Sequence, residues 1–410
     1  MRWLSIRPGE VRNVGRASLA AALALGVLAV AFGTGYTSTR SLTNDASVWL
    51  RKGDTIAQIN APSRRFQASV DDRNGERSLA APGDPLEVVQ EPDGTVYVAI
   101  PGKDQVFKVD LSTMEPGPAT AGNSVLAGDG GAYAVDSGKG TVTPLDPRTA
   151  LPSAAPVRVG TPIQSQALDG STVYVAGQDG SVTAISDGGR KVKRTQVAGK
   201  GARLSMAVAG PAATVVDSGA GTVRVLGGRA PTRTIRLPGT SGAPVQVAPN
   251  QPGPDVWLVR DHQLVDVRLA DGDTSSVALA GADTYEPPVV FGAQVYVPDL
   301  STHSVDVYDT ASLRLIHTYA VPPGAPGDPG GIEVVAKAGQ VWVDDPSSRD
   351  ALALSAGGSQ SRTVDKGTGF DVVDPNAKPA PPPGPGTPAP ASPAPVTASP
   401  APGPAATVPV

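Results

Sequence analysis

Short apolar triplets, most of them centred on an aromatic residue, punctuate the chain at regular intervals. They occur as Val48-Trp49-Leu50, Val96-Tyr97-Val98, Ala132-Tyr133-Ala134, Val173-Tyr174-Val175, Ala213-Thr214-Val215, Val256-Trp257-Leu258, Val295-Tyr296-Val297 and Val341-Trp342-Val343. Their start-to-start spacings are 48, 36, 41, 40, 43, 39 and 46 residues. A repeat of this length is the mark of a propeller or a solenoid.

Each unit has the same internal plan. A small apolar strand starts seven to ten residues before the triplet, as in Leu86-Glu87-Val88-Val89 or Pro288-Val289-Val290. A turn rich in Gly, Asp and Ser follows the triplet and leads to an alternating strand such as Gln105–Val109 or Ser304–Tyr308. A more polar strand closes the unit, for example Thr232–Leu237 or Leu315–Tyr319. Four short strands in about forty residues, joined by tight turns, form a propeller blade. Helical repeats of similar length are excluded, because turn residues interrupt the pattern every dozen positions. The aromatic strands are apolar on both faces (Val96 and Val98 on one, Tyr97 and Ala99 on the other), as stacked blades require. Their Trp and Tyr residues are thus expected in the core. The fold expected is an all-β propeller over residues 46–374.

The ends of this region bear on the blade number. Residues 85 to about 363 hold seven units that begin with an inner strand, whereas the unit 46–70 has none ahead of it. Phe370-Asp371-Val372-Val373 supplies a candidate. Pairing it with the first unit closes a ring of eight blades without an open edge, seven blades being the alternative.

Outside the repeats the pattern changes twice. Residues 17–39 carry no charge over 23 positions and follow Arg2, Arg7, Arg12 and Arg16, opposed only by Glu10. This is long enough for a membrane-spanning helix, with segment 1–16 cytoplasmic and the chain after linker 40–45 outside. The rival reading is a cleaved signal peptide ending near Ala29-Val30-Ala31, which also exports the chain. At the other end, within tail 375–410, residues 379–410 hold 13 Pro and no charge. Such a stretch builds no core and reads as a disordered, extended spacer, about 100 Å long if fully drawn out.

Composition narrows the chemistry. Gly (48) and Pro (42) are abundant, in keeping with many turns. The net charge of -4 exerts no general pull on nucleic acid. The absence of Cys rules out disulfides, thiolate metal sites and cysteine nucleophiles. With four Trp and no Cys, the recurring tryptophan motifs of quinone-dependent propeller dehydrogenases are missing.

The Arg-flanked apolar segment, Asn44–Leu50, the repeats and Phe370-Asp371-Val372-Val373-Asp374-Pro375 before the linker resemble a known family. It comprises membrane-anchored extracytoplasmic β-propeller proteins of high-G+C Gram-positive bacteria that usually carry C-terminal fibronectin type III domains. The resemblance spans about residues 1–385 and implies location and architecture rather than a reaction. No fibronectin domain follows within the 410 residues, which is where the sequence departs from the family pattern.

Several residue groups invite a chemical reading. The turn Asp-Ser-Gly-x-Gly-Thr-Val occurs at Asp136–Val142 and Asp217–Val223, but lacks the alternating carboxylates of a calcium loop and is expected to be a hairpin. Asp344, Asp345 and Asp350, beside Arg349, could bind a hard cation or act as acid and base; a solvated turn is the expectation. His262, His303 and His317 fall in different units and are expected at the surface, although His262 and His303 both follow aromatic strands and could share one face. Arg190-Lys191-Val192-Lys193-Arg194 is expected on a solvated strand edge, with an anionic wall polymer or lipid headgroup as the alternative role. Gly199-Lys200-Gly201 lacks the spacing of a phosphate loop.

The function expected is a non-catalytic extracytoplasmic binding or scaffold protein, without cofactor, metal site or catalytic residues. Its partner would be another membrane or cell-wall protein, or a wall glycan, and not nucleic acid. The alternative is a propeller-type lyase or lactonase of the cell envelope, which would need His262 or His303 to meet carboxylates on one face.

Overall fold

The computed structural model describes residues 46–367, apart from 71–78, 82–83, 129, 227–232, 241, 281–283, 325–330, 356 and 358–359. The expected membrane segment 17–39, the closing strand Phe370–Val373 and the tail 375–410 lie outside the described residues. No helix among those residues is long and apolar enough to cross a membrane.

The chain forms eight consecutive sheets, each built on an antiparallel up-and-down meander, and in blade 5 the inner strand Leu204–Ala209 also pairs in parallel with Asn250–Gln251. Blades 2 to 8 have an inner strand, the apolar aromatic strand, a third strand and an outer strand. In blade 4 these are Ile163–Asp169, Thr172–Gly177, Ser181–Ser186 and Lys191–Gln196. Blade 1 comprises Ser47–Lys52, Thr55–Asn60 and Arg65–Ser69, beginning at the aromatic strand. Pro116 and Pro118 split the outer strand of blade 2 into Glu115–Pro116 and Thr120–Ala121, since proline cannot donate to a ladder.

The aromatic strands are buried on both faces because each is sandwiched between neighbouring blades. Trp49, Tyr97, Tyr133, Trp257, Tyr296 and Trp342 are all buried, as expected of core residues. One apolar cluster fills every junction between consecutive blades. Trp49 and Phe107 join blades 1 and 2, and Tyr296 and Val343 join blades 7 and 8. The eighth cluster decides the blade number. Val48, Leu50 and Ile59 of blade 1 pack on Trp342, Ala351 and Val364 of blade 8, closing the ring. The fold is an eight-bladed β-propeller.

The meander places the turns after the aromatic strands on one face of the disc, together with the loops that pass from blade to blade. These turns repeat in detail. Asp104, Gly140, Gly180, Gly221, His262 and His303 all adopt positive φ, between 51° and 82°. Each carbonyl accepts the N–H of a residue just past its own blade's outer strand, as Val159 does to Gly140 and Val321 to His303. Both Asp-Ser-Gly-x-Gly-Thr-Val motifs are such hairpin turns, with Asp136 capping the Lys139 N–H and Asp217 the Ala220 N–H. At Gly140 an added Cβ would stand 2.2 Å from the carbonyl oxygen of Thr161 in the loop to the next blade. Gly140→Ala therefore combines left-handed strain with a backbone collision, and lowers stability by about 2 kcal/mol or more in urea unfolding. An unchanged midpoint would contradict this turn geometry.

Candidate functional site

The turn face gathers most of the residues singled out from the sequence. Three positions after the centre of the apolar triplet, blades 3, 5, 7 and 8 carry Asp136, Asp217, Asp299 and Asp345. Each accepts a backbone N–H of its own turn, Asp299 from Ser301 and Asp345 from Ser347. Blade 6 places Arg260 there, and blades 1, 2 and 4 place Lys52, Ile100 and Gly177.

His262 and His303 do occupy this face, in adjacent blades. His303 projects from the blade 7 turn toward blade 8, where its Nε2 lies 3.3 Å from Oδ2 of Asp345. The same carboxylate accepts the Gly324 N–H from the interblade loop. His262 sits on the rim of a different cleft, beside Asp261. His317 is on the exposed outer strand Leu315–Ala320 of blade 7, tilted against Tyr319 at 5.7 Å, and belongs to neither group.

The acidic group near the end of the repeats departs from expectation. Asp344 and Asp345 are not a solvated turn: they are 0% and 1% exposed. Alternation sends them to opposite sides of blade 8. Asp345 faces blade 7 and His303, whereas Asp344 faces the seam with blade 1. There Lys366, also 0% exposed, places Nζ 2.6 Å from Asp344 Oδ1 and donates to the carbonyls of Arg51 and Asp345. Burial pushes the Asp344 carboxyl up to about 7, with the Lys366 ammonium pulling the other way. Two further bonds stitch the seam, from Gly53 N–H to the Pro346 carbonyl and from Lys52 Nζ to the Gly367 carbonyl. Asp350 stands apart, partly exposed at the start of the third strand Asp350–Leu354.

Nearer the axis, polar side chains of the inner strands cross-link neighbouring blades. Glu333, the first residue of the blade 8 inner strand, accepts from Arg51 of blade 1 at 2.6 Å. Burial raises its proton affinity, and the Arg51 charge opposes this. Glu87 of blade 2 accepts the Val125 N–H of blade 3, and burial raises it too. Ser165 and Gln164 of blade 4 accept the N–H groups of Met206 and Leu204 in blade 5. Partly buried and exposed polar groups are thus engaged between blades, with bonds that tie these inner strands to the next blade.

The basic run behaves as its edge position dictates. The outer strand Lys191–Gln196 is exposed along its whole length, with Arg194 paired to Asp179 and Val192 half exposed. Among the described residues no group of three or more His, Asp or Glu is placed to hold a metal ion. Clefts open on both faces. One of about 590 Å³ on the turn face is lined by Gln164, Gln178 and Lys200. Another of about 640 Å³ lies against the Asp110–Thr113 turn of blade 2, with Lys108 and Arg148 in its wall.

Lys366, Arg51, Glu333 and Arg260 were not apparent as interacting residues from the sequence. Arg260 leaves no trace there, since the aligned strand end also holds Lys52, Ile100 and Gly177 in other blades. Lys366 leaves none: it turns back on Asp344 of its own blade and reaches the Arg51 carbonyl from the other end of the chain.

No family model matches the chain, and no curated relative is detected in sequence. Solved structures are similar in fold. AztD of Citrobacter koseri aligns with a TM-score of 0.57 at 11% identity, over 78% of this chain and 94% of that one. Virginiamycin B lyase of Staphylococcus aureus gives 0.52 at 9% identity, over 65% and 92%. The dihydro-heme d1 dehydrogenase NirN gives 0.55 at 14% identity, over 80% and 75%. At these identities the likeness is one of fold alone.

Proposed function

We propose that this chain is a non-catalytic scaffold of the cell envelope. In this reading residues 17–39 hold it to the membrane, and the propeller binds another membrane or wall protein on the outer side. The observation that carries it is where the titratable groups lie. Lys366 with the Arg51 carbonyl, Arg51 with Glu333 and Glu87 with the Val125 N–H all bridge neighbouring blades, and His303 faces Asp345 across the boundary of blades 7 and 8. Groups fixed in this way stiffen the ring, and a stiff ring presents many loops on a firm base. The Arg-flanked apolar segment and the Pro-rich spacer support placement outside the membrane.

Affinity purification of the tagged full-length chain from cross-linked membranes of its host tests the proposal. The expected result is near-stoichiometric recovery of one membrane or wall protein, which then binds the purified chain directly. Recovery of nothing specific, or substrate turnover by the purified chain that is lost in His303→Ala, would overturn it.

A further inference from the structure

Lys366 and Asp344 meet at the seam in an unusual way. Nζ stands 2.6 Å from Oδ1, and both side chains are fully buried. In spite of that distance, neither Asp344 oxygen has a hydrogen-bond partner among the described residues. The nitrogen therefore approaches the carboxyl group outside hydrogen-bonding geometry. A buried ion pair ordinarily needs good geometry, with further bonds to the lone pairs that remain. Here the amine has its further bonds and the acid does not. Nζ donates to the Arg51 and Asp345 carbonyls, both at 2.8 Å.

These two bonds hold the amine in place. An ammonium carries three hydrogens; the two carbonyls take two of them and leave the third for Asp344. Glu333 completes the group, standing directly opposite Asp344 in the ladder between the inner and aromatic strands of blade 8. Burial first, and the Glu333 and Asp345 charges after it, lift the Asp344 carboxyl to about 7 against the pull of Lys366. Desolvation favours a neutral acid and a neutral amine alike, and those are the forms that react with each other.

We infer that Lys366 and Asp344 join covalently, in an intramolecular amide between Nζ and Cγ. The step needs no reagent from outside. A proton passes from the Nζ ammonium to Oδ1, and the freed lone pair attacks Cγ to form the C–N bond. A second proton then moves from the nitrogen to the same oxygen, the Cγ–Oδ1 bond breaks, and one water leaves. Nothing is oxidised or reduced. Fixing the two groups in contact removes the entropic barrier that makes this reaction slow between free molecules. The product buries no charge, and its one N–H keeps the Arg51 and Asp345 carbonyls as acceptors. The ion pair, with its titration, belongs to the chain in which this bond has not yet formed. Once formed, the bond closes the segment 344–366 and ties the outer strand Ser361–Asp365 to the aromatic strand Gln340–Asp344. It does so where blade 8 packs on blade 1, the one junction of the ring that the chain itself does not connect. The cross-link does not depend on the scaffold reading.

Mass spectrometry of the purified full-length chain, folded and incubated at neutral pH, tests this. Trypsin is expected to release peptide 338–349 joined to peptide 363–410, one water lighter than their sum. Cleavage after Lys366 is lost, and fragmentation places the link between Asp344 and Lys366. Most of the chain is expected in this form. Lys366→Arg keeps the positive charge without an amine that forms the amide, and is expected to release peptide 338–349 at its own mass. The inference is overturned if the parent chain yields the two peptides unlinked, or if its lost water maps to an Asp-Gly succinimide elsewhere. It is equally overturned if peptide 338–349 stays linked in Lys366→Arg. The deciding result comes from the parent chain, so it stands even where the variant fails to fold.

Discussion

Lys366→Met opens the ring at its seam and lowers stability by about 3–5 kcal/mol at pH 8. The reason is asymmetry between removing one partner and removing both. Lys366 and Asp344 are 2.6 Å apart and fully buried, so methionine leaves the Asp344 carboxylate without its ammonium. It also frees the carbonyls of Arg51 and Asp345, which accept from Nζ. Replacing both members, Asp344→Leu with Lys366→Met, removes the stranded charge and is expected to recover more than half of the loss. Urea unfolding gives the magnitudes, and hydrogen exchange gives the place. Protection falls first in Ser47–Lys52 and Ser361–Asp365, the strands on the two sides of the seam. A Lys366→Met protein within about 1 kcal/mol of the parent would show that the pair contributes little to closure.

Stability is expected to peak between about pH 4 and 6 and to decline toward pH 8. Burial raises Asp344 to about 7 and Asp266 to about 6, and raises Glu87, Asp306 and Glu333 as well. A carboxyl whose folded pKa is raised holds its proton where the unfolded chain has released it. Its stabilisation is complete below the ordinary carboxylate range and is lost as pH rises through the folded value. The turn aspartates work in the opposite sense. Hydrogen bonds from Ser112, Ser181 and Ser312 hold Asp110, Asp179 and Asp309 low, so their contribution disappears as pH falls below about 4.

Asp266 isolates the buried contribution. It is nearly buried opposite Trp257, and its Oδ1 has no hydrogen-bond partner among the described residues. Asp266→Asn removes a titration that burial has raised to about 6, and so stabilises the protein at pH 8 by up to about 3 kcal/mol, with little effect at pH 4. Urea midpoints of parent and variant at the two pH values measure this directly. A variant equally stable relative to the parent at both would contradict the assignment.

The spacing of Tyr97, Tyr133, Trp257 and their counterparts determined the blade, its strands and its buried face. This was legible because a propeller core is local: each aromatic strand pairs with strands a few residues away, and a period of about forty is written along the chain. The exposed edge Lys191–Gln196 and the Asp136 and Asp217 hairpins were legible for the same reason, since alternation and turn chemistry act over a few residues. What joins one blade to the next was not. Asp344 and Asp345 look like turn aspartates in sequence, and alternation assigns them opposite faces without saying what covers each. Their burial was decided by packing on both sides of blade 8: His303 of the preceding blade covers Asp345, and Lys366, which also reaches the Arg51 carbonyl of blade 1, covers Asp344. Arg51 meets Glu333 across 282 residues of chain, and the turn of Gly221 cradles Arg260 from the preceding blade. Local periodicity determined the blades, and packing of blade on blade decided which charges are covered and what they meet, because those contacts join residues from about twenty to nearly three hundred positions apart.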